Sequence, residues 1–408
     1  MELRTFTLPN GIRLVHHEVV TPVAHCGLFI NAGTREETGT EEGIAHFIEH
    51  IIFKGTEKRN LFQVLNRLEN VGADMNAFTG KEETCVYATF LSEYYGRTLE
   101  LFQDILFHSV FPEKEIIKEK QVVADEIRSY KDTPAEQIFD DFENLVFDGH
   151  SLGKNILGTL KSIRKISRND VLGFIHRNYR PENIVLASVG NIPYKRLIRL
   201  VTHHFSDHTE YGEPYPRVPF KDYKPFQKIH KKPIFQVHCL LGAPAYPFHD
   251  TRRIPLALLN NMLGGPIMNS RLSLALRERN GLTYHNESNY TSYSDSGVIN
   301  IYFGTEPALY EKALTIVHKE LNRLRTIKLT SIQLHTIQKQ LIGHLTIAQE
   351  SNLSNMLSIG KSYLLQNRYD PIEIIIQKIE AVTPEELLEI SNEIFDPQLI
   401  SCLTYLPK

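Results

Sequence analysis

A chain of 408 residues, 42% apolar and 23% charged, is long enough for two or three globular domains and too ordinary in composition to be disordered, collagen-like or a coiled coil. Its 45 Lys+Arg against 48 Asp+Glu leave a net charge of −3, which excludes a broad positive field for nucleic acid or an anionic membrane. No segment approaches the roughly 20 apolar residues of a membrane span. The N-terminal MELRTFTLPNGIRLVHHE alternates apolar with polar residues and presents no apolar core of the kind a secretory signal needs, so a cytoplasmic protein is expected.

In chain order, alternating or apolar runs at 5–8, 12–16, 24–30, 85–90, 184–189, 235–241, 297–303 and 400–406 predict strands, with long helical patterns between them. The expected class is α+β. Cys26, Cys85, Cys239 and Cys402 form no C-x-x-C pair, which predicts reduced, strand-buried thiols and no cysteine metal site. The histidine pairs His16-His17 and His203-His204 lack partners at ligand spacing and read as strand and loop residues.

An internal repeat organises the chain. Residues 166–189 match 382–405 at a constant offset of 216: Ser167 pairs with Thr383, Asp170 with Glu386, Tyr179 with Phe395 and Pro181 with Pro397. Each copy reads as a helix opened by a capping box, an aromatic, an X-Pro turn and a strand. A second match, VAHCGLF with QVHCLLG, aligns the starts of the halves. Two homologous domains follow, 1–207 and 233–408, each expected to be a mainly antiparallel sheet packed with helices. The Pro- and Tyr-rich 208–232 is the expected linker, running outside the packed layers.

The segment 40–55, TEEGIAHFIEHIIFKG, reads as a helix with Thr40 as N-cap, acids in its first turn and Gly55 after its end. At about 100° per residue, Ile44, Phe47, Ile48, Ile51 and Ile52 fall on one arc and His46, Glu49 and His50 on the other. Two imidazoles at i and i+4 can reach one metal ion, with the carboxylate at i+3 beside it and not required as a ligand. The competing reading is two surface histidines on an amphipathic helix. A third ligand is available from a second helical pattern after Pro112, where Glu119 and Glu126 lie seven residues apart on one face. One can ligate while the other orients a histidine. Glu126 sits among Val122, Val123 and Ile127, where a solvated acid is unexpected.

HFIEH at 46–50 with Glu126 76 residues after His50 resembles the inverted-motif zinc peptidases, the family of pitrilysin, insulysin and the mitochondrial processing peptidase. The resemblance covers essentially the whole chain: LPNGIRLV, NAGTREE, HFIEHIIFKGT, GADMNAFTGKEETCVYA and YRPENIVLASVGN in the first half, then LGGPIMNSRL, LRERNGLTY and SDSGVINIYFGT in the second.

The resemblance implies that His46, His50 and Glu126 hold Zn²⁺ with a fourth position left for water. It makes Glu49 the general base and Glu119 the residue that orients a ligand from behind. It further implies that Asn76, Ala77, Phe78 and Thr79 form an edge strand that pairs with substrate backbone, and that Arg277 and Tyr284 contact the substrate and stabilise the oxyanion. Gly264-Gly265-Pro266 reads as the end of an apolar helix, not a phosphate loop. The second-half counterpart of the zinc helix, PLALLNNML, has no His or Glu, so one zinc per chain is expected. The implied function is a zinc metalloendopeptidase that hydrolyses unfolded peptides or presequence-like segments inside an enclosed chamber. The alternative is a non-catalytic peptide-binding or scaffold subunit of the same family. A homodimer, or a heterodimer with a related subunit, is the expected assembly.

Overall fold

The computed structural model describes residues 2–207 and 211–408. Among them eleven strands form two sheets. The first holds β1 (Leu3–Thr7), β2 (Arg13–Glu18), β3 (Val23–Ile30), β4 (Asp74–Thr79), β5 (Thr84–Leu91) and β6 (Ile184–Gly190) in the order β1-β2-β6-β3-β5-β4. The second holds β7 (Gln227–Lys232), β8 (Val237–Ala245), β9 (Thr283–Ser292), β10 (Gly297–Thr305) and β11 (Ser401–Pro407) in the order β7-β11-β8-β10-β9. From β2 and β7 onward the orders correspond strand for strand. In each sheet the one parallel pair, β2 with β6 and β7 with β11, sits at the same place, and the other pairings are antiparallel.

The repeat is physical as well as textual. Ser167 accepts from the Asp170 amide and Thr383 from the Glu386 amide, each opening a helix, Arg168–Asn178 and Pro384–Ile394, that leads into β6 and β11. β6, IVLASVG, is buried at every residue because both faces of its sheet are covered, hence its unbroken apolar run.

What covers those faces is not contiguous in sequence. One compact unit comprises Met1–Arg128, Lys154–Arg217 and Ala348–Tyr369; the other comprises Ser129–Gly153, Val218–Ile347 and Asp370–Lys408. In the first, the helix Asn352–Gln366 lays Met356, Ile359 and Tyr363 against Val15, Phe29, Val185 and Val189. In the second, the helix Pro134–Val146 lays Ile138, Phe142 and Val146 against Leu240, Val298, Tyr302 and Leu403. Each sheet is thus covered on one side by a helix drawn from the other half of the chain.

Gly360 is where the first of these helices comes closest: a Cβ there would lie 2.1 Å from Phe29, which is fully buried and cannot move aside. Gly360→Val is therefore expected to destabilise by about 1–3 kcal/mol through overpacking. Thermal or denaturant unfolding that leaves this variant at wild-type stability would mean the helix is not seated as described.

The expected linker is more involved than its composition suggests. Its residues 208–210 lie outside the described residues. Arg217 binds Glu36 at 2.6 Å and the Asn31 side chain at 3.0 Å, Phe220 and Phe226 join the second unit's core, and residues 227–232 are β7. QKIHKK was not recognisable as a strand because it is an edge strand exposed along most of its length, so no apolar alternation marks it. All four cysteines are buried thiols; Cys239 and Cys402 meet across β8 and β11 with 3.6 Å between sulfurs.

Candidate metal centre

The helix bearing HFIEH runs Ile44–Ile51, three residues shorter at its start than the sequence predicts. Thr40 is not its cap. Gly43 adopts φ +85, and a Cβ on it would stand 2.8 Å from the Gly158 Cα, so the chain turns here in a way only glycine permits. The free amides that follow are met by a carboxylate from outside the helix: Glu37 accepts from the Gly43 N–H at 2.9 Å and the Ala45 N–H at 3.1 Å. Glu37 is fully buried, and burial pushes its carboxyl up while those two amides pull it back. NAGTREE gave no sign of this role, since Glu37 lies seven residues before the helix.

The helix is buried nearly all round. Phe47, Ile48 and Ile51 enter the first unit's core, while the histidine face meets carboxylates of the long helix Glu113–Lys131. That helix brings Glu126 Oε2 to 3.8 Å from His46 Nε2 and 3.4 Å from His50 Nε2. These three atoms lie within 4.8 Å of one another, the one such group of possible metal ligands among the described residues. Glu119, two turns earlier, accepts from His50 Nδ1 at 3.2 Å and from Lys54 Nζ at 2.9 Å.

The donor set fits a zinc ion. Two imidazole nitrogens and one carboxylate oxygen converge, and Glu126 Oε2 is buried without a hydrogen-bond donor, a costly state unless a cation satisfies it. Glu119 occupies Nδ1 of His50 and so leaves Nε2 directed at Glu126. His46 is less supported, its buried Nδ1 having no hydrogen-bond partner.

Burial, with help from the neighbouring His50, holds the His46 imidazole down at about 4. His50 goes the other way: burial opposes its protonation, but the bond to Glu119 and the charges of Glu126, Glu119 and Glu49 outweigh it and raise it. For Glu119, burial would raise the carboxyl, but the bonds from His50 and Lys54 bring it below its usual value. Glu49 is raised, chiefly by burial and also by Glu126, with Thr79 and His50 pulling it back.

His46 carries a pH prediction for the metal-free protein. Its folded value lies below its unfolded value of 6.5, so the unfolded chain binds the extra proton and stability is lost as pH falls from about 6.5 to about 4. The loss attributable to this group is up to about 3 kcal/mol. Denaturant unfolding across that window should show a shallower acid loss for His46→Gln than for wild type; equal slopes would contradict the assignment.

Among the described residues β4 is the last strand of the first sheet and pairs only with β5, so the Asn76–Thr79 edge has no strand on its outer side. Met75 and Ala77 turn to the core beneath the metal helix and Phe78 to the opposite face. The tip after β4 is held by the Arg35 amide to the Lys81 carbonyl at 2.8 Å and by a fully buried Arg35–Glu82 pair at 2.6 Å.

Arg277 and Tyr284 both lie in the second unit. Arg277 sits in a π-helical turn, Ser273–Glu278, paired with Glu278 at 2.8 Å; Tyr284 is on the edge strand β9 and 90% exposed. The helix Arg253–Gly264 corresponds in order to the metal helix and ends at Gly265, whose amide bonds Asn261. Of the remaining histidines, His16 is buried in β2 between Ser188 and the Ile192 carbonyl. His203 and His204 close the helix Tyr194–Phe205 and do not lie in a loop, their ring-bearing turn being amphipathic and packed through Val201 and Phe205.

Residues 14–160 match the family described as insulinase (peptidase family M16), and residues 165–341 match the one described as the peptidase M16 inactive domain. An uncharacterized zinc protease of Bacillus subtilis is 33% identical over 395 residues, covering 96% of each chain. The chain belongs to the M16 family of zinc proteases. A second uncharacterized zinc protease, from Rickettsia felis, is 32% identical over 390 residues, 95% of this chain and 94% of its own. Two solved structures share the two-domain M16 fold. A protease from Helicobacter pylori has a TM-score of 0.92 at 22% identity, and an M16 inactive domain from Pseudomonas fluorescens has 0.92 at 19%; each comparison covers 100% of this chain.

Proposed function

We propose that this M16 chain is a zinc-dependent metalloendopeptidase that cuts unfolded peptides or presequence-like segments. The observation that carries the reading is the meeting of His46, His50 and Glu126 through three ligand atoms within 4.8 Å, with Glu49 on the turn between the histidines. Zinc bound by these three residues would supply Lewis acidity, making a water easier to deprotonate and a carbonyl easier to attack. Everything else falls to the chain. Glu49 takes the proton of the attacking water and returns it to the leaving amine, a task suited to a carboxylate whose affinity for protons is raised by burial. The open edge of β4 holds the peptide extended by backbone pairing, which selects for unfolded segments and only loosely for side chains.

Arg277 and Tyr284 are assigned to the substrate backbone and the oxyanion; the exposed Tyr284 hydroxyl is free to meet a ligand. We assign these two residues to the site of a second copy, in a homodimer with two-fold symmetry that encloses its substrate. Mixing Glu49→Gln chains with Tyr284→Phe chains then restores activity toward half that of a wild-type dimer. Mixed dimers that exchange chains and recover nothing would end the two-copy reading.

The primary test is cleavage of quenched fluorogenic peptides with and without chelator, on zinc-replete protein. Chelator-sensitive cleavage is expected. Absence of cleavage on every peptide of a varied set would favour the non-catalytic, peptide-binding subunit.

A further inference from the structure

Lys54 follows the metal helix in the turn where its own amide bonds the Ile51 carbonyl, one helical turn beyond His50. Its ammonium reaches across to the neighbouring helix and donates to Glu119 Oε2 at 2.9 Å, while Glu119 Oε1 accepts from His50 Nδ1 at 3.2 Å. The two oxygens of one carboxylate are therefore engaged by two side chains from the same short segment, and Glu119, itself buried, cannot turn without breaking one bond. A carboxylate held by a single hydrogen bond can swing or rotate. One held at both oxygens presents a fixed acceptor to the imidazole, and that acceptor selects the tautomer with the proton on Nδ1 and the lone pair on Nε2.

We propose that Lys54 is a positioning residue for His50: by clamping Glu119 it fixes the tautomer and ring orientation that aim Nε2 at Glu126 and at a metal ion between them. The proposal rests on reading His46, His50 and Glu126 as a zinc site. It separates the roles of two basic residues that HFIEHIIFKGT places close together, one directed at the metal and one directed at the acid behind it.

The test measures zinc affinity of the full chain by competition with a chromophoric chelator. Lys54→Met is expected to weaken zinc binding by about tenfold, the range for loss of an outer-shell partner, and Lys54→Arg, which keeps a donor, to retain most of it. Placed in a Glu119→Gln background, Lys54→Met should add less than about twofold, because its effect runs through Glu119. Imidazole ¹⁵N shifts of the metal-free chain, read at alkaline pH where His50 is neutral, should move His50 from the Nδ1–H form toward a tautomer mixture in Lys54→Met. If that variant fails to fold, Lys54→Gln is measured in its place. A folded Lys54 variant with wild-type zinc affinity and an unchanged His50 signal, or one whose full effect persists in the Glu119→Gln background, overturns the proposal. A wild-type chain that binds no zinc, or binds it equally well after His50→Ala, overturns the site reading and Lys54's role with it.

Discussion

Glu49→Gln is expected to keep zinc and to lose peptide hydrolysis by about a thousandfold or more, since general acid–base catalysis contributes 10²–10⁴-fold and the proposed role uses Glu49 in both directions. The geometry explains why metal and turnover should separate. Glu49 lies between His46 and His50 in sequence but is not among the three residues whose ligand atoms converge. An amide of the same size fits where the carboxylate was and cannot accept the water's proton. The check is metal analysis beside a cleavage assay on the same sample. Zinc lost together with activity would make Glu49 a ligand and undo the assignment.

Glu126→Gln acts on the other side of that division. Its Oε2 stands 3.8 and 3.4 Å from the two Nε2 atoms and has no hydrogen-bond donor of its own, so a cation is the partner that would satisfy it. A neutral amide oxygen is a poorer ligand, and zinc affinity should fall by more than about a hundredfold, beyond the 10–100-fold typical of outer-shell losses. Chelator competition measures this directly. Unchanged affinity would transfer the ligand role to Glu119, an outcome the structure makes unfavourable, because both Glu119 oxygens are already bound to His50 and Lys54.

How far the sequence could be read depended on whether the governing contact was local. The periodicity of IAHFIEHI separates a histidine face from an apolar one, and a spacing of seven positions from Glu119 to Glu126 puts them on one face of a helix; both are properties of a single element. The capping boxes at Ser167 and Thr383 are equally local, which is why the repeat could be aligned from them. What stayed hidden involves partners far apart. Glu37 caps a helix it does not belong to, and the left-handed Gly43 beside Gly158 displaces the helix start from the capping-type Thr40 to Ile44. β7 has polar residues on both sides of an exposed edge, so its pattern carries no alternation. His203 and His204 read as loop residues in isolation, but the amphipathic helix ending in Phe205 continues through them.

The helix Asn352–Gln366 against the first sheet has a consequence during synthesis. Chains emerge N-terminus first, so residues up to about 205 supply every strand of that sheet and both helices of the candidate metal centre, yet the apolar surface of Val15, Phe29, Val185 and Val189 has no lid until residue 352 has been made. At 5–20 residues per second the intervening stretch takes roughly 7–30 s. Throughout that interval the nascent protein presents a bare sheet face to the ribosome's surroundings, a state that invites chaperones and aggregation alike. A polypeptide truncated before residue 352 should accordingly precipitate or remain chaperone-bound, although it carries each residue named for the chemistry of the metal helix.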